Sequence, residues 1–535
     1  MKTEILSAAA KRKIFFSPDA MEMILSNNDP MAFANTVFSH LADNAMFVSK
    51  KDVMDCIAGD KVLFESQKEV KPQNRFTPDL HVVRGTDITG QSTTEGKIND
   101  FAAYFMSRYL SLKKIIEKRR DFGVATSIAK AKDLDRECRI IGMVYDKSTT
   151  KNGHIMLTIE DETDTAKVFI SKDSPLSKEM FVSDEVIGIV TKPPGRNKSF
   201  IMADKIVRPG IPKDHRWEDM DLVSKIAFLS DVHVGSSTFL EPTWNKMMAW
   251  LKANSVKEDI NYLVFPGDVV DGIGVFPDQD KELDINDIYQ QYEKLSEYLK
   301  EVPDHIQMVI HPGNHDAVRL AEPQPALNKV FTKTFDSNIL MVGNPVYLSV
   351  EGRTVLTYHG KSMDDWIAGV QGMSYEDPLK VMRAMCATRH LAPIYGQRNA
   401  LAPERRDYLV MEYVPDIFVS GHVHGAGQEV LNGVRMINAS TWQSQTEYQK
   451  MHNFNPDPGI MPVVTLSDGA VRMHDFTKRR HAPPIRVRRA KGYDENATAP
   501  GAVRRARDGW KGFQLKTFSM RRTQIIMMAP SISIE

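Results

Sequence analysis

Five short motifs of histidine, aspartate and asparagine occur in the second half of the chain, and their side chains are of the types that bind divalent metal ions. They are Asp231-Val232-His233, Gly267-Asp268-Val269-Val270-Asp271, Gly313-Asn314-His315-Asp316, Tyr358-His359 and Gly421-His422-Val423-His424. Imidazole, carboxylate and carboxamide ligands without thiolate favour Mn²⁺, with Fe, Zn²⁺ and Mg²⁺ as alternatives, over a structural thiolate site. The pattern predicts a hydrolytic site for two divalent ions.

Each motif follows a short apolar run that is typical of a buried parallel strand. The runs occupy residues 226–229, 262–265, 308–310, 355–357 and 417–419. Because open α/β sheets bind their ligands beyond the carboxyl ends of the strands, we expect the five motifs to meet there.

Taken one at a time, the motifs have ordinary explanations. The first motif alone is typical of a surface or capping segment, and the second suits a turn followed by a helix cap. The two histidines of the last motif alone could be a hydrogen-bonded core pair. Five such motifs in one order, each after an apolar run, favour a metal site over these separate explanations.

The motifs resemble those of the calcineurin-like metallophosphoesterases, and within them the nuclease and phosphodiesterase branch. The protein-phosphatase branch usually has an arginine directly after the second aspartate of the second motif and a glutamate closing the third. This chain has Gly272 and Asp316 at those positions, which argues against a protein phosphatase.

The resemblance implies seven metal ligands. It assigns Asp231, His233 and His424 to one ion. It assigns Asn314, His359 and His422 to the other, with Asp268 as the bridge. Two divalent ions about 3.5–4 Å apart can activate water and clamp a phosphate oxygen for an in-line displacement. Because only two of the seven ligands carry charge, the ions keep positive charge for a phosphodiester.

Three more residues of the motifs are candidates for catalysis. His315 lies beside a ligand without being one, so we expect it to protonate the leaving oxygen or to stabilise charge on the phosphate. Asp271 and Asp316 are expected to orient imidazoles or a water molecule at the metals. For Asp316 a helix N-cap is the alternative.

The resemblance implies an α+β multidomain protein whose metallophosphoesterase core is an α/β β-sandwich, and composition predicts several domains in a reducing compartment. The 535 residues, 42% of them hydrophobic, leave room for three or four packed domains. The net charge is zero, so any basic surface must be local. Three widely separated cysteines (Cys56, Cys138 and Cys386) do not suit a disulfide or zinc framework. Since we recognise neither a signal peptide nor an apolar run of membrane-spanning length, we expect a soluble, cytoplasmic protein.

Periodicity divides the first 212 residues into three segments. Residues 1–75 are predicted to form a helical module of three or four short helices, which either docks a partner or another domain, or serves as a structural cap. Residues 76–135 are predicted as a linker, rich in Gly, Thr and Ser over 84–99, and then a helix over 100–118. Residues 136–212 are predicted to form an OB-type barrel of five strands, at 139–145, 154–159, 166–170, 185–191 and 200–207.

Such a barrel commonly binds single-stranded nucleic acid. Lys192, Arg196 and Lys198 supply local positive charge. However, the aromatic residues available for base stacking are few: Tyr145, Phe169, Phe181 and Phe200. A platform for docking another protein is therefore an equal alternative.

The phosphoesterase domain is predicted over residues 222–476, followed by a basic tail over 477–535. From Lys478 to Arg522 the tail has fourteen lysines and arginines against three acidic residues. This pattern is typical of a segment that binds nucleic acid or an acidic partner, and equally of a solvated extension. Within the domain, residues 272–280 and 361–398 are candidate walls of the site.

The helical module, the barrel and the phosphoesterase motifs together resemble the small subunits of archaeal family-D DNA polymerases. The related B subunits of eukaryotic replicative polymerases have mostly lost the metal ligands, whereas this chain keeps the whole set. The resemblance implies a 3′→5′ exonuclease that removes mispaired nucleotides from single-stranded or mismatched 3′ ends of DNA, and a large polymerase subunit as partner in a heterodimer. The alternatives are a non-catalytic scaffold subunit, a DNA-repair nuclease or a cyclic-nucleotide phosphodiesterase.

Overall fold

The computed structural model describes residues 2–26, 29–41, 47–57, 77–193, 199–451 and 454–478. They form two compact units that divide after Thr77. Arg196 and Lys198 of the barrel and the basic tail after Lys478 lie outside the described residues. Among the described residues, no helix combines the length and the apolar character needed to cross a lipid bilayer.

The first unit consists, in its described residues, of four short helices and two paired strands. The elements are α1 (Lys2–Lys11), β1 (Phe15–Phe16), α2 (Pro18–Leu25), α3 (Pro30–His40), β2 (Phe47–Val48) and α4 (Lys50–Ile57). Asp29 begins α3, since its carboxylate accepts a hydrogen bond from the amide of Ala32 at 3.1 Å, and Pro30 occupies the first turn. Ile5, Ile24 and Val37 are fully buried in the core of this unit.

The second unit begins with β3 (Leu80–Val82), α5 (Ile98–Glu117) and α6 (Ile128–Ala131). The segment over 84–99 has no helix or strand until α5, as a linker predicts, but it is not detached. Ser92 Oγ and the amide of Thr93 donate to the carboxylate of Glu404 at 2.6 and 3.0 Å. The helix predicted over 100–118 is α5, and its buried face contains Phe105, Tyr109, Leu112 and Ile116.

Five strands then close into a barrel in the order β4-β5-β6-β8-β7. They are β4 (Arg139–Thr149), β5 (Ile155–Glu160), β6 (Thr165–Ile170), β7 (Val186–Thr191) and β8 (Ile201–Val207). Burial alternates along β5, so Ile155, Leu157 and Ile159 fill the interior. Phe181 packs into that core and is unsuited to stacking a base, whereas Phe169 and Phe200 contact each other with ring centroids 5.1 Å apart.

The remaining strands and helices build two six-stranded sheets. The strands are β9 (Lys225–Phe228), β10 (Ile260–Pro266), β11 (Gln307–His311), β12 (Ile339–Met341), β13 (Val346–Val350), β14 (Arg353–Tyr358), β15 (Ile417–Ser420), β16 (Ala426–Leu431), β17 (Val434–Ala439), β18 (Ile460–Thr465) and β19 (Val471–Asp475). The helices are α7 (Glu241–Asn254), α8 (Ile288–Leu299), α9 (Lys329–Thr332), α10 (Met363–Gly369), α11 (Pro378–Thr388) and α12 (Glu447–Met451).

The two sheets divide the five predicted strands between them. The first has the order β12-β11-β10-β9-β18-β19, with β9 to β12 parallel. The second has the order β16-β17-β15-β14-β13-β3, with β14, β15 and β17 parallel. β3, inside the segment predicted as linker, is therefore an edge strand of the second sheet.

Each sheet is buried on both faces. On β9, Ala227 belongs to a core shared with α7 and α8, while its neighbour Phe228 points to the opposite face and is also fully buried. Side chains of the two sheets meet there. Tyr262 Oη donates to Glu351 at 2.9 Å, and His311 Nε2 lies 2.7 Å from Thr357 Oγ1. The result is a mixed α/β unit in which two sheets pack together beside a closed barrel.

Candidate metal centre

The five motifs lie directly after the strands β9, β10, β11, β14 and β15. Five of the seven predicted ligands adopt left-handed backbone conformations, with φ between +50° and +70°: Asp231, His233, Asp268, His422 and His424. Residues other than glycine seldom adopt this conformation, and it costs roughly 1–3 kcal/mol where it occurs. In the first, second and fifth motifs, this backbone conformation turns the ligand side chains toward one centre. The residue types of the motifs do not predict it.

The glycines that begin the motifs are required by close packing. A Cβ at Gly313 would lie 2.2 Å from Asp268 Oδ1, and one at Gly421 would lie 2.3 Å from Asp231 Oδ2. Atoms cannot approach so closely, so any other residue there would displace a candidate ligand. Gly313 and Gly421 thus each make room for the carboxylate of another motif.

The first predicted ligand group is assembled around His424. Its Nε2 lies 3.1 Å from Nε2 of His233 and 3.3 Å from Oδ1 of Asp231. His233 Nε2 lies 3.9 Å from the same carboxylate oxygen. The three side chains are buried. They therefore present three ligand atoms to one small volume.

The second group is assembled around His359. Its Nε2 lies 3.1 Å from Asn314 Oδ1 and 3.2 Å from Asp268 Oδ2. The imidazole of His422 packs edge-on against that of His359, with ring centroids 5.2 Å apart. Asp268, His359 and His422 offer atoms within 4.8 Å of one another.

Asp268 lies between the two groups. Its Oδ2, which is 3.2 Å from His359, is also 3.9 Å from His233 Nε2 of the first group. Ligands bonded at about 2.1 Å to one ion and at right angles to each other lie about 3.0 Å apart. The closest separations in both groups are near that value, so the donor atoms fit divalent ions.

The charges in the centre also fit cations. Burial disfavours charged imidazole, but the nearby carboxylates of Asp231 and Asp271 outweigh it and raise the pKa of His233 to about 10. Burial acts in the same way at His359, where the charge of Asp268 prevails and raises the pKa to about 9. Among the described residues, no lysine or arginine forms an ion pair with Asp231, Asp268 or Asp271. The buried carboxylates thus draw protons onto imidazoles, in positions where divalent ions would supply the charge.

Asp271 and His315 lie beside the two groups. Asp271 Oδ1 is 3.0 Å from Nδ1 of His233, the ring nitrogen turned away from His424. His315 Nδ1 donates to the carbonyl of Asp271 at 2.7 Å, which leaves Nε2 free for substrate chemistry. Burial lowers the pKa of His315, so the neutral imidazole is favoured.

Asp316 contacts the backbone instead of an imidazole. Its Oδ2 accepts from the amides of Gly313 at 2.8 Å and Val269 at 3.4 Å, and its Oδ1 accepts from Tyr292 Oη. The alternative of a helix N-cap is wrong, because the next helix is α9, which begins at Lys329. Burial and the charge of Asp268 raise the pKa of Asp316 to about 6. This carboxyl ties the loops of the second and third motifs together.

Comparison with known proteins places the chain among polymerase subunits. The family model that describes the B subunits of DNA polymerases alpha and epsilon matches residues 226–425. The DNA polymerase II small subunit of Archaeoglobus fulgidus is 42% identical over 399 residues, which is 73% of this chain and 80% of that protein. The one from Methanothermobacter thermautotrophicus is 36% identical over 493 residues, 89% of this chain and all of that protein.

The chain belongs to the small-subunit family of archaeal family-D DNA polymerase. The family resemblance inferred from the motifs is confirmed. Among solved structures, a phosphoesterase from E. coli is 14% identical, with a TM-score of 0.24 over 47% of this chain and 99% of that chain. A likeness this weak carries no argument about the site.

Three polar residues at the centre are not among the ten candidate site residues of the sequence. Asp364 Oδ1 lies 3.3 Å from Nε2 of His422, the amide of Gln449 lies 2.8 Å from Nδ1 of His424, and Gln443 Nε2 donates to Asp271 at 3.1 Å. Asp364 begins a helix next to Asp365, where acidic residues are common for the helix dipole alone. The glutamines belong to the 440–449 region, which carries no motif.

Several aromatic and basic residues of the candidate wall over 361–398 pack against other parts of the chain. Trp366 is fully buried, Arg389 donates to the carbonyl of Met411, and Tyr395 packs against Phe101 and Phe105. Tyr375 differs, because its hydroxyl donates to Asp364 at 3.0 Å and its ring stacks on Phe454. Tyr375 is thus linked through one carboxylate to His422.

Proposed function

We propose that this small subunit is a metal-dependent 3′→5′ exonuclease that removes mispaired nucleotides from DNA. The observation that carries the proposal is the meeting of seven side chains from five motifs, spread over 194 positions of the sequence, in one buried pair of ligand groups joined by Asp268. Each described contact joins atoms of the types that bind Mn²⁺, Fe or Zn²⁺.

The residues that would hold two ions are Asp231, His233 and His424 on one side and Asn314, His359 and His422 on the other, with Asp268 shared. When bound, a pair of divalent ions activates water and neutralises charge on a phosphodiester. Mn²⁺ is the proposed ion, with Mg²⁺, Fe and Zn²⁺ as the alternatives.

The residues around the ligands have separate roles in this proposal. His315 is the proton-handling residue, because its Nδ1 is fixed on the carbonyl of Asp271 and only Nε2 can meet the leaving oxygen. Asp271 orients His233 through Nδ1. Asp316 is a positioning residue that holds the amide of Gly313, and with it the loop that carries Asn314.

The partner in this proposal is a large polymerase subunit. The relatives are named small subunits of DNA polymerase II, and a small subunit forms part of a larger enzyme. The large subunit would supply the polymerase centre and deliver a frayed 3′ end. DNA with a single-stranded or mismatched 3′ end is the proposed substrate.

The test is degradation of end-labelled DNA by the full chain, alone and with its large partner, in Mn²⁺. We expect shortening from the 3′ end and a loss of at least about 10³-fold in rate for His359→Ala and for Asp268→Asn. His474→Ala is the matched control, since His474 lies on β19 at the edge of the first sheet, and its activity should equal wild type.

Three outcomes would contradict the proposal. A wild-type chain that is inert in both settings would favour the scaffold function. Shortening from the 5′ end, or equal loss of activity in His474→Ala, would exclude a 3′→5′ exonuclease at this centre.

A further inference from the structure

Asp364 makes three polar contacts that link the metal centre to its rim. Its Oδ1 is 3.3 Å from His422 Nε2 and accepts from the hydroxyl of Tyr375 at 3.0 Å. Its Oδ2 accepts from Nζ of Lys361 at 2.7 Å. The carboxylate is largely buried, with a side chain 12% exposed, so these contacts are sheltered from water. One group thus fixes an imidazole, a phenol and an ammonium.

The contact with His422 decides which ring nitrogen is available. Because a carboxylate only accepts hydrogen bonds, it holds the proton of His422 on Nε2. The other nitrogen, Nδ1, is then unprotonated and able to bind a metal. Imidazole ligands are commonly held in this way by a carboxylate on the far nitrogen.

The neighbouring Asp365 provides a contrast within the same helix. Its two oxygens accept from the backbone amides of Arg398 and Asn399 at 2.7 and 3.1 Å. It is buried like Asp364 and one residue away, but its hydrogen bonds hold a loop of the chain.

Lys361 follows the ligand His359 by two residues and is held at the rim by Asp364. Its side chain is 27% exposed, so the ammonium is anchored without being enclosed. An ammonium has three donors, and Asp364 accepts from one of them. The negative charge of a phosphate oxygen makes it a suitable acceptor for the other two N–H donors of Lys361.

We propose that Asp364 is the positioning residue of the second ligand group, and that Lys361, presented by the same carboxylate, binds a phosphate of the DNA strand next to the scissile one. This inference rests on the proposed function for its substrate. The metal-binding part stands without any nuclease activity.

The first experiment measures Mn²⁺ binding to the chelator-treated full chain by calorimetry and by metal content after dialysis. We expect two ions in the wild type, and for Asp364→Ala an affinity for one of them that is about 10–100-fold lower. Asp365→Ala is the matched control and should keep both ions, whatever it does to thermal stability. Asp364→Glu should restore part of the lost affinity.

The second experiment measures binding of a fluorescent phosphorothioate oligothymidylate in Mn²⁺ by anisotropy, at several salt concentrations. Lys361→Met should weaken binding and reduce the slope of log affinity against log salt by about 0.7, the value for one phosphate contact on a single strand. It should leave both ions bound. Lys252→Met is the control. It removes an exposed lysine on α7 that pairs with Glu301, and it should change neither the affinity for the oligonucleotide nor the salt slope.

The outcomes separate this inference from the proposed function. Wild-type ion affinities in Asp364→Ala would overturn the positioning role, and an unchanged salt slope in Lys361→Met would overturn the phosphate contact. A wild type that binds two ions and the oligonucleotide without cleaving DNA would contradict the proposed exonuclease function and leave the roles of Asp364 and Lys361 standing.

Discussion

Two buried clusters of histidine and aspartate in the second unit differ in whether they contain their own cation. In the cluster around Asp407, Arg108 Nε donates to the carboxylate at 2.7 Å, and His390 Nε2 and Tyr104 Oη each lie 2.8 Å from it. Both charged side chains are fully buried. In the metal centre, among the described residues, Asp231, Asp268 and Asp271 pair with imidazoles and with no lysine or arginine.

His390 of the first cluster and two histidines of the metal centre, His233 and His359, have pKa values shifted in opposite directions. Burial, together with the charge of Arg108, lowers the pKa of His390 to about 4, so this imidazole is neutral. At His233 and His359 the surrounding carboxylates prevail over burial and raise the pKa values to about 10 and 9. In the cluster around Asp407 a guanidinium balances the buried carboxylate, whereas the carboxylates of the other cluster have no such cation among the described residues. This difference supports the proposal that the second cluster binds metal ions and the first is a structural network.

The largest expected effect comes from removing the guanidinium of the cluster around Asp407. Arg108→Met leaves Asp407 buried without its guanidinium and should lower the free energy of unfolding by about 3–5 kcal/mol. Urea denaturation measures it. Arg119→Met, which removes the half-exposed pair with Asp121, should cost at most about 1 kcal/mol. Equal effects of the two substitutions would remove the basis of the comparison.

The next effect concerns the metal centre and the ions that we propose it binds. Mn²⁺ added to the chelator-treated protein at 100 times its dissociation constant should stabilise it by about 2.7 kcal/mol, because the ion binds the folded state. The melting temperature should rise accordingly. The rise should persist in Arg108→Lys and disappear in Asp268→Asn. A rise of the same size in Asp268→Asn would mean that Mn²⁺ binds elsewhere.

The smallest effect is a pair of opposite pH dependences. His390 has a depressed pKa, so its contribution is present above the unfolded value of 6.5 and is lost as the pH falls through about 4. His233 and His359 have raised pKa values, so in metal-free protein their contribution is present below pH 6.5 and is lost as the pH rises through 9 to 10.

Both limbs are measured by chemical denaturation across pH with a chelator present. His390→Gln should flatten the acid limb only. Mn²⁺ should flatten the alkaline limb only, since the ions replace the protons on the imidazoles. A single limb that responds to both changes would show that the clusters are not independent.

The predicted elements of the barrel and of the ligand strands were found largely where the sequence placed them. The run over 262–265 lies inside β10, and the strands predicted at 166–170 and 200–207 agree with β6 and β8 to one residue. Burial alternates or is continuous along these strands, so apolar patterning alone locates them. The short β3 was missed because three residues at a sheet edge carry too little pattern.

The contacts that Asp364 and Arg108 make could not have been predicted from the sequence. Arg108 and Asp407 are separated by 299 positions, and nothing in either local sequence marks the other as its partner. Trp366, Arg389 and Tyr395 lie in the segment over 361–398 that was predicted as a wall of the site, yet Trp366 and Arg389 are buried and Tyr395 packs against Phe105. For isolated polar and aromatic residues, packing decides the role.

The sequence by itself determined the family, the candidate ligands and the order in which they follow their strands, because each motif combines a strand, a glycine and a donor side chain within a few residues. Tertiary structure decided that β9, β10 and β11 of one sheet and β14 and β15 of another end at the same place. It also decided which carboxylate fixes each imidazole. Local patterning encodes secondary structure and burial, whereas the distance between strand ends and the closure of buried charge depend on how the sheets pack.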